Sequence, residues 1–199
     1  MIPGKAQTET VQKDFIRQIK YYSQEKGTVL LFFDPCHLLH NVINARIWQP
    51  RGKKGTITIK SNTGLKIINI PGALNIEDFS VTTILTEETC DSVRIVEFLK
   101  KIKEKYPGRK IVVILDNARY NYARVTRAFA EENDILLLFL PPYAPNLNLI
   151  ERLWKFTKKH LVNNTYHEDY AQFVNATNRF FNNLGKYQQE LSSLFTQKF

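Results

Sequence analysis

A single α/β domain, with a mixed sheet flanked by helices and a C-terminal helical extension, is the architecture this 199-residue sequence predicts. Residues 111–115 (IVVIL) and 135–140 (ILLLFL) are short continuous apolar runs, as expected of strands covered on both faces. The segment between them is long enough for a helical crossover, which brings two strands side by side and parallel. A third apolar run, VLLFF (29–33), is followed by strand-like segments joined through short turns, which adds antiparallel pairing.

Taken in order, residues 9–26 read as a packing helix, with Val11, Phe15, Ile19 and Tyr22 on one face and Gly27 placed to end it. The strand 29–33 then delivers Asp34. TITIK and LKIINI read as two strands joined by the turn SNTG, and FSVTTILT (79–86) as a further strand. Asp91 to Tyr106 forms an amphipathic helix with Ile95, Leu99, Ile102 and Tyr106 inward, stopped by Pro107-Gly108. After the strand ending on Asp116, the crossover helix turns Ala123, Val125, Ala128 and Phe129 to the sheet. Following ILLLFL, three prolines in five residues force a stiff irregular turn. A helix then starts near Asn146 or Asn148, with Ile150, Leu153, Trp154, Thr157 and Leu161 in one stripe. The core thus spans 29–162, and the tail, 165–199, adds two helical patterns that cover the sheet.

A composition 43% hydrophobic and 12% aromatic excludes a disordered chain. No apolar run approaches a membrane span, and the first residues lack the layout of a signal peptide, so a cytoplasmic protein is expected. Two cysteines are too few for a disulfide framework. Lys and Arg number 28 against 19 Asp and Glu, a net charge of +9 that favours a polyanionic partner. The span from Pro35 to Ile76 holds no acid, while Arg46, Arg51, Lys53, Lys54, Lys60 and Lys66 lie within it. This is either a solvated basic surface or one that meets a phosphate backbone, and its place directly after Asp34 favours the second.

Three acids are candidates for chemistry. Asp34 and Asp116 end apolar strands, and Glu151 lies near a helix start on the face shared with Lys155 and Lys158. Convergent at the carboxyl edge of one sheet, they would form a cation site. Each has a plain structural reading beside this one. Asp116 suits a helix N-cap, and Asn148 to Glu151 has the spacing of a capping box. His37 and His40, beside Cys36, leave a zinc site open, but no second ligand pair occurs at a finger-like spacing. Local hydrogen bonding or a site-lining role fits them better. Trp154 reads as core.

FFDPCHLLHN around Asp34, VVILDNARYN around Asp116 and LPPYAPNLNLIERLWKFTKK around Glu151 resemble the DDE transposases of the mariner and insertion-sequence type. The 34 residues between Asp116 and Glu151 match that family's spacing. The resemblance implies a ribonuclease-H-like catalytic domain with Asp34 on the first strand, Asp116 at the end of the fourth, and Glu151 on the helix after the fifth. It implies two Mg²⁺ or Mn²⁺ ions on these three carboxylates, and metal-dependent cleavage and transfer of DNA strands during transposition. The implied partners are double-stranded DNA (transposon ends and target), a second copy of the chain, and a separate polypeptide carrying the helix-turn-helix region. Family members usually carry that region ahead of the catalytic domain, and the 29 residues before Leu30 cannot hold it. A prokaryotic, nucleoid-associated setting follows. Arg46, Lys53, Lys54, Arg119, Lys155, Lys158 and Lys159 are the candidates for holding the DNA backbone. Relatives often carry His where this chain has Asn121, Pro where it has Leu149, and Glu where it has Pro35. A non-catalytic DNA-binding remnant or regulator with the same fold is the alternative; a ribonuclease-H-like RNA nuclease fits the fold but not the 34-residue spacing or the proline block.

Overall fold

The computed structural model describes residues 5–46, 58–142 and 144–195. Its centre is a five-stranded sheet in the order β3-β2-β1-β4-β5. The strands are β1 (Thr28–Leu39), β2 (Ile67–Asn75), β3 (Val81–Thr83), β4 (Lys110–Leu115) and β5 (Ile135–Phe139). β1, β4 and β5 are parallel, while β2 and β3 run antiparallel to their neighbours, so the predicted mixed sheet forms.

Alternation along the strands divides the core between two faces. Leu30, Phe32, Cys36 and Leu38 of β1 and Val112 and Ile114 of β4 pack on one side. They meet α1 (Lys5–Gln24), α4 (Ile150–Leu161), α5 (Tyr170–Asn182) and α6 (Gln188–Leu194). Val29, Leu31, Phe33, Ile111, Val113 and Leu115 pack on the other, against α2 (Ser92–Lys105) and α3 (Arg124–Glu132). α2 follows its expected pattern: Ile95, Leu99 and Ile102 are buried, and the Asp91 carboxylate caps its first turn through Val93 N and Arg94 N. In α3 the buried residues are Thr126 and Ala130, with Phe129 partly covered; Val125 and Ala128, expected inward, face solvent. The reason is a 3-10 turn, Arg119–Tyr122, which delays the helix to Arg124 and rotates its inner face.

β1 does not stop at Asp34. It continues five residues, because Pro35 and Pro71 stand opposite one another in the β1–β2 ladder. Pro71 O accepts from Ile84 N, so the missing donor of Pro71 faces β3 and not β1. A facing pair whose backbone groups point outward loses no ladder bond when both members are proline. β2 for the same reason runs past LKIINI to Asn75. The strand expected over TITIK is not found at residues 58–60, and Thr56 and Ile57 lie outside the described residues. Both edges of β2 are taken, one by β1 and the other by β3 and Thr86, so TITIK has no edge there to join. Within FSVTTILT only Val81–Thr83 is strand.

Helix α4 lies across β1 and β2 because Gly72 makes room for it. A Cβ on Gly72 would stand 2.5 Å from Trp154 Cη2 and 2.8 Å from Cζ2. Gly72 is the register partner of Asp34, so the indole ring rests directly beside that acid. Gly72→Ala is therefore expected to lower stability by about 1–3 kcal/mol, the range for overfilling a packed core. Urea denaturation checks this; an unchanged midpoint would refute the contact.

Candidate active site

The β1–β4 register decides where the two aspartates meet. Phe32 stands against Ile114, and both face the α4 side. Two residues further on are Asp34 and, just past the end of β4, Asp116, near enough for Asp116 to repel the Asp34 carboxyl. Glu151, in the first turn of α4, lines a cleft of about 250 Å³ with Asp34, Pro35, Cys36, His37, Trp154, Lys155 and Lys158. The sheet edge thus gathers the acids from three distant parts of the chain.

Their electrostatics register the proximity. Burial, then repulsion from Asp116 and Glu151, pushes the Asp34 carboxyl up to about 7, against the opposing pull of the Trp154 hydrogen bond and Lys158. Trp154 Nε1 donates to Asp34 Oδ2 at 3.1 Å. Asp116 accepts on Oδ1 from Ala118 N (3.1 Å) and from Asn121 Nδ2 (2.8 Å). It is not the N-cap of α3, since that position is Ala123 and carries no side-chain cap. Glu151 is not in a capping box either. The cap position of α4 is Leu149, and Asn148 instead donates from Nδ2 to Phe33 O at 3.2 Å, fastening the helix start to β1 one residue before Asp34. With both capping roles gone, the carboxylates are left for other work. Among the described residues no three His, Cys, Asp or Glu side chains are grouped closely enough to hold a metal ion. Like charges repel, so these acids come closer only when charge is neutralised, by a proton or by a cation.

The remaining candidates divide. Lys155 and Lys158 line the cleft with Glu151, as their shared helix face predicts. Lys159, Arg119 and Arg46 are exposed outside its lining, and Lys53 and Lys54 lie outside the described residues. His37 is held by Asn69, with Nδ1 to Oδ1 at 2.5 Å, and Asn69 in turn donates from Nδ2 to Glu88 O. His40 meets His167 O at 3.0 Å and stacks on Phe173. Both histidines are therefore engaged locally. Burial pushes the Cys36 thiol up to about 12, leaving it an inert core group. Three residues beyond the sequence reading support the acids: Trp154, Asn121 and Gly72. Only Gly72 left a signal, as a lone glycine within a strand pattern, which marks close approach of another group.

Residues 29–174 match the family described as DDE superfamily endonuclease. The chain belongs to the DDE superfamily endonucleases. Over 86 residues this DDE endonuclease is 34% identical to the uncharacterized protein y4pE/y4sA of Sinorhizobium fredii (strain NBRC 101917 / NGR234), covering 43% of this chain and 62% of that protein. Its fold is similar to the catalytic domain of Mos1 mariner transposase, with a TM-score of 0.61 at 12% identity over 98% of this chain and 94% of that one. It is similar also to the mariner Mos1 paired end complex with Mg, with a TM-score of 0.70 at 16% identity over 98% of this chain and 60% of that one. The chain thus spans less than two thirds of y4pE/y4sA and of the Mos1 chain in that complex. At such identities the Mos1 likeness fixes the fold, which is ribonuclease-H-like, as the resemblance implied. No helix among the described residues is long and apolar enough to cross a membrane.

The raised Asp34 carboxyl gives a signed pH dependence. An unfolded aspartate releases its proton near pH 4, whereas folded Asp34 holds its own to about 7. Between these values the native state binds more protons, so this group's contribution to stability falls as pH rises through the window. In buffer with a chelator, Asp34→Asn, which cannot ionise, is expected to gain on the parent chain between about pH 5 and about pH 8. Urea midpoints measured across that range check it, and a constant difference would refute it.

Proposed function

We propose that this chain is the catalytic domain of an insertion-sequence-type transposase, cleaving DNA strands and transferring them in a divalent-metal-dependent reaction. The observation that carries the reading is the approach of Asp116 and Glu151 to Asp34, whose carboxyl is pushed up to about 7 by burial first and then by repulsion from those two acids. Buried carboxylates that repel one another favour a bound cation, and hard oxygen donors suit Mg²⁺ or Mn²⁺. The Mos1 paired end complexes with Mg and with Mn support that choice.

Asp34, Asp116 and Glu151 would hold two ions. Bound there, the metal would activate the attacking hydroxyl and stabilise the leaving oxygen of an in-line phosphodiester displacement. Lys155 and Lys158 place positive charge along the cleft, where they would take the phosphates flanking the scissile bond. Arg119, Lys159, Arg46, Lys53 and Lys54 would extend that hold along the duplex. Trp154 closes the inner wall of the cleft and keeps bulk water from that side of Asp34. Transposon-end and target DNA are the substrates on this reading, and a second copy of the chain would pair two ends. A separate polypeptide would carry the helix-turn-helix that recognises them.

Incubation of duplex DNA with the protein in Mg²⁺ or Mn²⁺ is expected to give strand cleavage that Asp116→Ala abolishes. DNA binding without metal-dependent cleavage would instead make this a non-catalytic DNA-binding remnant of a transposon. Lys155→Glu with Lys158→Glu is expected to weaken duplex binding and to reduce its log–log salt slope by about 1–2, since each phosphate contact contributes about 0.9. An unchanged slope would remove these lysines from the DNA surface.

A further inference from the structure

Among the described residues, Asp34 and Asp116 each have one oxygen engaged and one left over, and a buried, uncharged N–H donor holds each engaged oxygen. Trp154 Nε1 lies 3.1 Å from Asp34 Oδ2, and Asn121 Nδ2 lies 2.8 Å from Asp116 Oδ1. We propose that Trp154 and Asn121 are positioning residues that fix the two carboxylates in rotation, so that Asp34 Oδ1 and Asp116 Oδ2 are the oxygens presented to a cation. This rests on the reading of Asp34 and Asp116 as metal ligands.

The two donors are anchored independently of each other. Trp154 is 5% exposed, packs edge-on to Phe181, and rests on Gly72, the strand partner of Asp34. Any side chain at Gly72 would drive the ring off the acid, so the glycine, the indole and the carboxylate form one fitted set. Asn121 is fully buried in the 3-10 turn that follows β4. Its Nδ2 also donates to Asp116 O at 3.2 Å, gripping main chain and side chain of the same residue. The two acceptors fix the orientation of the amide, because only its nitrogen can donate to both. The cost falls on Asn121 Oδ1, which is buried without a hydrogen-bond partner. Burying an unpaired carbonyl is unfavourable, so the amide's place in the fold is set by the work of its nitrogen.

Neutral donors are suited to this task for an electrostatic reason. A lysine or arginine against either oxygen would neutralise the carboxylate and compete with a cation for it. An indole or amide N–H fixes direction without placing a formal positive charge beside the carboxylate. The fixed rotation also limits each aspartate to one free oxygen, so it would bind through a single oxygen and not as a chelating pair.

The test reads the tether and the metal separately. Trp48→Phe leaves Trp154 as the one indole in the chain, and its Nε1–H resonance is followed by ¹H–¹⁵N NMR. Asp34→Asn is expected to move that resonance in the metal-free protein, and Mg²⁺ is expected to move it only where Asp34 is intact. Mn²⁺ affinity by calorimetry is expected to fall about 10-fold or more in Trp154→Phe and in Asn121→Ala, as when partners behind metal ligands are lost. Circular dichroism should stay native in both variants. Asn121→His, which keeps a ring N–H, is expected to restore most of the affinity. An indole resonance indifferent to Asp34→Asn, or parent-like Mn²⁺ affinity in both truncations, overturns the proposal. Mn²⁺ binding that survives Asp116→Ala, or is absent from the parent chain, overturns the carboxylate site beneath it, and the metal-free response to Asp34→Asn still judges the tether.

Discussion

The Trp154 ring on Gly72 sets where α4 crosses the sheet, and the cleft follows from that placement. A glycine in the middle of a strand contributes no side chain of its own to packing, yet here it lets an indole lie against the backbone beside Asp34. Once the ring is seated, helical geometry carries Glu151, Lys155 and Lys158 to the same side as Asp34. Asn148 fastens the start of the helix to the Phe33 carbonyl, so the helix is pinned at both its first turn and its centre. The contact is apolar in substance but electrostatic in consequence, because it brings a third negative charge towards two others.

That crowding is sustained by the rest of the fold. The continuous apolar runs of β1 and β4 bury one after another on both faces, which anchors the segments that lead into Asp34 and Asp116. Burial and like charge then raise the Asp34 carboxyl to about 7. Asp34 and Glu151 line one partly covered cleft, and Asp116 is near enough to repel Asp34, an arrangement that costs stability. Sites that do chemistry often carry such local cost, supported by a well-packed scaffold around them.

The sequence reading was sound on topology and weaker on boundaries. The apolar runs, the crossover helix and the amphipathic stripe of α2 are local signals, and each appears in the structure. The strand read from the apolar run 29–33 goes on past Asp34, since Pro35 and Pro71 face one another and cost the β1–β2 ladder nothing. TITIK carries a strand pattern, yet β2 offers it no free edge. Asn148 and Glu151 have capping-box spacing, yet the asparagine is used across the sheet, 115 residues away in sequence. In each case the local preference was real, and a long-range partner claimed the same atoms.

What the sequence by itself determined is the set of acids, their order and spacing, and the apolar runs and helical stripe that lead into them. Those follow from hydrophobic period and residue type, both of which are one-dimensional. Only the tertiary structure decided which oxygen of each aspartate is held, and by what. Along the chain Trp154 reads as a core aromatic and Asn121 only as a departure from the His of relatives, because nothing near them in sequence states what their N–H groups will meet. A hydrogen bond between Trp154 and Asp34 depends on the register of β1 with β2 and on the space above Gly72. Both are set by packing between segments that are distant in the chain.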